Sequence, residues 1–151
     1  MPPPNALAQM VATAVPLNKL LGFEAIEAGA GKAAIRVGAP PLHLNHVGTM
    51  HAGILFSVAE AASGVALLSS ILEHVSKTYP VVQGARIDYA AAAKGPITAH
   101  AEIEPKRLAE IQRAVAAGEN TDAQVVVSLK DESGREVSRC TFDWAIRAKR
   151  R

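Results

Sequence analysis

Apolar positions recur at helical spacing in three stretches of this chain and alternate with polar ones in the segments between them. In the first stretch Leu7, Met10, Val11 and Ala14 fall on one face, which predicts a short helix from an Asn5 N-cap to about Val15, after an extended lead at Pro2 to Pro4. Pro16 ends it, Leu17 to Leu21 add a further turn, and Gly22 stops the chain, so residues 1–22 read as a helical lead lying on a larger body. Phe23 to Glu27 and Ala33 to Val37 flank the turn signal Gly29-Ala30-Gly31 and predict a β-hairpin, closed by Pro40 and Pro41.

The second helical stretch, about Ala52 to Leu72, carries Ile54, Leu55, Val58, Ala62, Val65 and Leu68 on overlapping faces, with mostly small residues between them. A helix apolar nearly all round is a buried one. Ser57, Glu60, Ser63, Ser69 and Ser70 break the run, which argues for a core helix and against a membrane span. Val81 to Ala92 and Pro96 to Ile103 follow as strands, and the short Lys94-Gly95 turn predicts that these two pair with each other. Lys106 to Ala117 is an amphipathic helix ended by Gly118. Gln124 to Leu129 and Glu136 to Arg147 then flank Asp131 to Gly134 as a last hairpin, with Cys140, Phe142, Trp144 and Ile146 on one face. The order predicts an α+β chain whose antiparallel sheet wraps one central helix.

Composition narrows this picture. A length of 151 residues suits a single domain over 1–151, and 49% hydrophobic against 20% charged residues suits a folded chain with a core of Ala, Val, Ile and Leu. The net charge of +2 is outweighed by the tail Lys149, Arg150 and Arg151 alone, and no basic stripe interleaved with aromatics occurs, so nucleic acid is not an expected partner. One cysteine, Cys140, forms no internal disulfide and no zinc site, and MPPPNALAQM has neither the basic nor the apolar region of a signal peptide. The expectation is a soluble cytoplasmic protein. His43, His46 and His51 lack carboxylate or Cys partners at ligand spacing, so no metal is expected.

The polar stretch before the central helix carries the candidate chemistry. Asn45, Gly48, Thr49, His51 and Gly53 form the pattern N-x-x-G-T-x-H-x-G, and an acid, Glu60, follows fifteen residues after the Asn. With the strand pair before it and the long strands after it, this segment resembles the hotdog-fold acyl-CoA thioesterases of the phenylacetate-degradation type. The wording TMHAGILFSVAEAASG is most similar to an uncharacterised branch described as a domain of unknown function.

The resemblance implies a hotdog fold, with Asn45 as the loop Asn, His51 as the His, Ala52 and Gly53 in place of the two glycines of His-Gly-Gly, and Glu60 as the catalytic acid, usually Asp. The departures are Ala52 for Gly, Glu60 for Asp, and Val82 where some relatives place a hydroxyl. The added methylene of Glu60 moves its carboxylate outward, and a shift of about 1 Å can cost about 10²-fold in rate.

Thioester hydrolysis needs donors for the oxyanion and a base or nucleophile near the carbonyl carbon. The first N–H groups of a helix are unpaired, so Ala52 and Gly53 are the expected donors, with His51 shaping the loop and Asn45 orienting substrate or water. Glu60 lies eight residues beyond Ala52, or roughly 12 Å along the axis. One chain cannot bring both to one carbonyl. The expected partner is therefore a second copy, in a homodimer or a dimer of dimers with sites shared at the interface. Coenzyme A enters as part of the substrate, no other cofactor is expected, and the alternative is a non-catalytic acyl-CoA or acyl-group binding protein.

Overall fold

The structure, a computed structural model, describes residues 4–150. Two short helices, α1 (Pro4–Thr13) and α2 (Pro16–Leu20), lead into the hairpin β1 (Glu24–Gly29) and β2 (Lys32–Val37). The central helix α3 (Ala52–Ser70) is followed by β3 (Thr78–Tyr89), β4 (Ile97–Glu102), α4 (Pro105–Ala116), β5 (Thr121–Asp131) and β6 (Glu136–Ala148). Short 3₁₀ helices at Pro41–His43 and Leu72–Lys77 flank α3.

All six strands form one antiparallel sheet in the order β1-β2-β4-β5-β6-β3. Strand alternation decides which face is filled. Ala123, Val125, Val127 and Leu129 of β5 are buried, as are Cys140, Phe142, Trp144 and Ile146 of β6, and all belong to the core that encloses α3. Val58, Ala59, Ala62, Ala66 and Leu67 of α3 are at most 1% exposed, so the 19-residue helix is a core element although it is long and apolar enough to cross a membrane. This is a hotdog fold.

Differences from the sequence reading have physical causes. β3 and β4 do not pair: β3 lies on the far edge against β6, while β4 inserts between β2 and β5. The segment between them is a crossover, pinned by Met50 N–H to Ala93 O (2.9 Å) and by Ala90 and Ala91 N–H to Val137 O. Placing β4 centrally lets both of its edges hydrogen-bond, which a β3–β4 hairpin at the sheet margin would not. The helix α1 starts at Pro4, which puts Asn5 inside it and not at its N-cap, and Pro16 opens α2 as its first residue. Pro2, Pro3 and Arg151 lie outside the described residues. The Lys149 ammonium sits 4.8 Å from the centre of the Tyr79 ring, so this part of the basic tail folds back on β3.

The β1–β2 turn is tight at Gly31, whose φ is 75° and where an added Cβ would come within 2.9 Å of Leu108 Cδ2 and 3.5 Å of Ile103 O. Both terms oppose a side chain. Gly31→Ala is expected to lower stability by about 1–2 kcal/mol, which urea denaturation would read as a lower midpoint at unchanged slope.

Candidate active site

The loop before α3 is built by Asn45. Its Oδ1 accepts from the N–H groups of Val47 (3.0 Å) and Thr49 (3.1 Å), and its Nδ2 donates to Thr49 Oγ1 (2.9 Å). Gly48, at φ 79°, lets its own N–H donate to Asn45 O (3.1 Å), which closes the turn. Asn45 therefore has both acceptor sites and one amide hydrogen committed to the loop, and one amide hydrogen left for a ligand. His43 is 4% exposed, with its ring Nδ1 2.9 Å from Gly38 O, and His51 N–H donates to His43 O (2.8 Å). His43 pins the loop to the body of the protein.

His51 is the N-cap of α3. Its ring Nδ1 accepts from Gly53 N–H at 2.8 Å, so the neutral ring carries its proton on Nε2. An added Cβ on Gly53 would lie 3.0 Å from that Nδ1, which explains glycine there in terms of space. Of the two expected oxyanion donors, Gly53 N–H is thus engaged, whereas Ala52 N–H has no partner among the described residues and Ala52 is exposed. The Tyr89 hydroxyl, from β3, donates to Ala52 O (3.1 Å) and tethers the helix start to the sheet edge. Sequence reasoning misses Tyr89, since nothing local links a strand tyrosine to a residue 37 positions away.

Glu60 lies two turns further along α3. It is half-buried, and burial holds its carboxyl above the ordinary carboxylate range. Among the described residues no side chain or backbone group hydrogen-bonds the carboxylate. Its turn of helix is fixed from behind: Trp144 Nε1 donates to Ser63 Oγ (3.0 Å), and Ser63 Oγ donates to Glu60 O (2.7 Å). Gly64 lies against that indole, where an added Cβ would sit in ordinary van der Waals contact, 3.5 Å from its Cζ2 and Cη2. Phe56, one turn before Glu60 and 36% exposed, rests on Phe142 with ring centroids 5.4 Å apart.

The structure therefore groups Asn45, His51, Ala52 and Gly53 at the start of α3 and leaves Glu60 apart from them, separated by eight residues of helix. Val82, where the resemblance places a hydroxyl, sits at a bulge of β3 between Val82 and Gly84. No group of three or more His, Cys, Asp or Glu able to hold a metal occurs among the described residues. Cys140 is 1% exposed, and burial pushes its thiol up to about 12, so it is a core residue.

The antiparallel sheet wrapped around one central helix places the chain among the hotdog-fold proteins. More narrowly, the chain belongs to the family described as "Domain of unknown function (DUF4442)", whose model matches residues 5–146. No curated protein sequence matches it. A protein of unknown function and probable thioesterase from Pseudomonas aeruginosa is similar in structure, with TM-score 0.84, 25% identity and 99% of both chains covered. A mutant of the phenylacetic acid degradation protein PaaI from Thermus thermophilus superposes with TM-score 0.67 at 21% identity, over 88% of this chain and 99% of that one.

Proposed function

We propose that this protein is an acyl-CoA thioesterase that works as a homodimer, with Glu60 of one copy facing the start of α3 of the other. The observation that carries this reading is the separation within one chain of an unpaired, half-buried carboxylate from the free Ala52 N–H. Isologous pairing of two copies brings each to its counterpart. The edge strand β3 supports it: 12 residues long, with Tyr79, Val81 and Tyr89 each at least 50% exposed, it offers an unpaired ladder to a second β3. The structural likeness to a probable thioesterase gives independent support.

In this reading the Ala52 N–H, at the positive end of α3, stabilises the thioester oxyanion, and His51 Nε2–H stands beside it as a second donor. Glu60 serves as general base. No cofactor is required beyond the coenzyme A of the substrate.

The test uses a substitution that deletes the free backbone donor at Ala52. Proline at the first position of a helix is favoured, and His51, at φ −59° and ψ 136°, already has the conformation that precedes proline. Ala52→Pro is expected to fold and to lose about 10²–10³-fold in kcat on an acyl-CoA panel. Mixing subunits of Ala52→Pro and Glu60→Gln is expected to restore part of the activity, because half-sites from opposite chains combine. No restoration from a mixture shown to exchange subunits would rule out the shared site.

A second reading, a non-catalytic acyl-CoA binding protein, is favoured by the engagement of Gly53 N–H by His51 and of Asn45 by its own loop. Saturable binding of acyl-CoA without turnover would establish it.

A further inference from the structure

Beside Glu60 is a half-open cavity of about 70 Å³, lined by residues of α1, α2, α3 and β6 and by Val15. Two of its lining residues carry polar side chains with no hydrogen-bond partner among the described residues: Glu60 from α3 and Asn18 from α2. Asn18 is 4% exposed, and its backbone O accepts from Phe23 N–H (3.2 Å) while its side-chain amide is left unpaired. Around it stand Val11, Val15, Val65 and Leu68, among which a leucine would pack without penalty. The Asn18 amide makes no hydrogen bond among the described residues and lines the cavity beside the carboxylate of Glu60, so both side chains present polar atoms to whatever occupies it.

Size excludes one occupant. Small-molecule sites run to about 300–1,000 Å³, so an acyl chain does not fit in this cavity. A water molecule takes about 30 Å³ of liquid volume, so there is room for about two. The lining supplies acceptors and a donor at which such water is held, namely the Glu60 carboxylate and the Asn18 amide. Glu60 is the single ionisable residue in the lining.

We propose that this cavity holds the hydrolytic water and that Asn18 is a positioning residue that orients it on Glu60. The inference rests on the thioesterase reading and deepens it by assigning the N-terminal helices a part in the reaction. Asn18 Oδ1 accepts one water hydrogen and Glu60 the other, which aims the oxygen lone pair outward at the substrate. The water oxygen then bonds to the thioester carbonyl carbon as its proton passes to the Glu60 carboxylate. The carbon–sulfur bond breaks next, and the coenzyme A thiolate leaves and takes up that proton. Glu60 thereby acts as base and not as nucleophile.

Two substitutions test this. Asn18→Leu keeps the volume and removes the amide: kcat on the preferred acyl-CoA falls about tenfold or more while KM holds, and Tm does not fall. Asn18→Asp places a second carboxylate on the same water, so the Glu60 carboxyl, followed by carbon-detected NMR, titrates at higher pH by about one unit. The acid limb of the kcat profile moves with it. A second charge in the cavity reports only that the two side chains are neighbours, whereas a purely structural role for Asn18 would leave kcat unchanged in Asn18→Leu at unaltered Tm. Hydrolysis lost in Glu60→Gln but unchanged in Asn18→Leu overturns this inference and leaves the thioesterase reading standing. Hydrolysis unchanged in Glu60→Gln overturns both, and an unmoved Glu60 titration in Asn18→Asp overturns the pairing of the two side chains.

Discussion

Glu60→Gln is expected to lower kcat on acyl-CoA by about 10²–10⁴-fold, the range that one positioned base contributes, and at the same time to raise Tm at neutral pH. The two effects share one cause. Burial holds the Glu60 carboxyl above its ordinary range, so at neutral pH the folded protein carries a charged group that it would hold more easily as the acid. For a folded-state value raised above the unfolded one, the stability contribution is full below the unfolded value and is lost as pH rises through the folded value. The amide of Gln is free of that loss. The same shift fixes the sign of the activity profile: the base works only when deprotonated, so hydrolysis declines as pH falls, and the decline begins above the ordinary carboxylate range. Activity and thermal melts across pH 4–9, about the span in which a raised carboxyl titrates, would check both. A Gln variant with wild-type rates would remove Glu60 from the mechanism.

Phe142→Ala is expected to destabilise the protein by about 3–5 kcal/mol. Phe142 is 0% exposed, sits on β6 between Val125 of β5 and Ala85 of β3, and carries Phe56 of α3 on its ring. Its loss removes core contact from three elements at once. Set against a total stability of about 5–15 kcal/mol, that leaves little margin. In whatever folded fraction remains, Phe56 can sink toward the void and rotate the turn that bears Glu60, so activity per folded molecule should fall as well. Urea denaturation followed by circular dichroism measures the first effect, and kcat normalised to folded protein the second.

Local patterns in the sequence are sufficient where one periodicity governs one element. The alternation in β5 and β6, the all-round apolar character of α3 and the Gly118 stop of α4 each place residues as the structure has them. The order of strands is not legible, because Lys94-Gly95 is a turn signal whether the chain returns beside β3 or crosses to the other side of the sheet. Within the site, Asn45, His51, Ala52, Gly53 and Glu60 all belong to one contiguous motif. How each is occupied cannot be read from it, since the His51 ring on Gly53 N–H and the threefold use of Asn45 are matters of side-chain direction. Asn18 and Trp144 reach Glu60's surroundings only through tertiary structure, from residues 42 and 84 positions away in the chain.

The buried Cys140 gives the protein a built-in clock. It is the only thiol in the chain, lies at the centre of β6 with β3 and β5 on either side, and reacts as a thiolate only once that strand is exposed to solvent. The rate at which a disulfide reagent labels the intact protein therefore counts openings of the β3–β6–β5 region, in the same currency as hydrogen exchange. If two copies join through β3, labelling should slow as protein concentration rises, so one side chain remote from the catalytic loop would report on assembly without any substrate present.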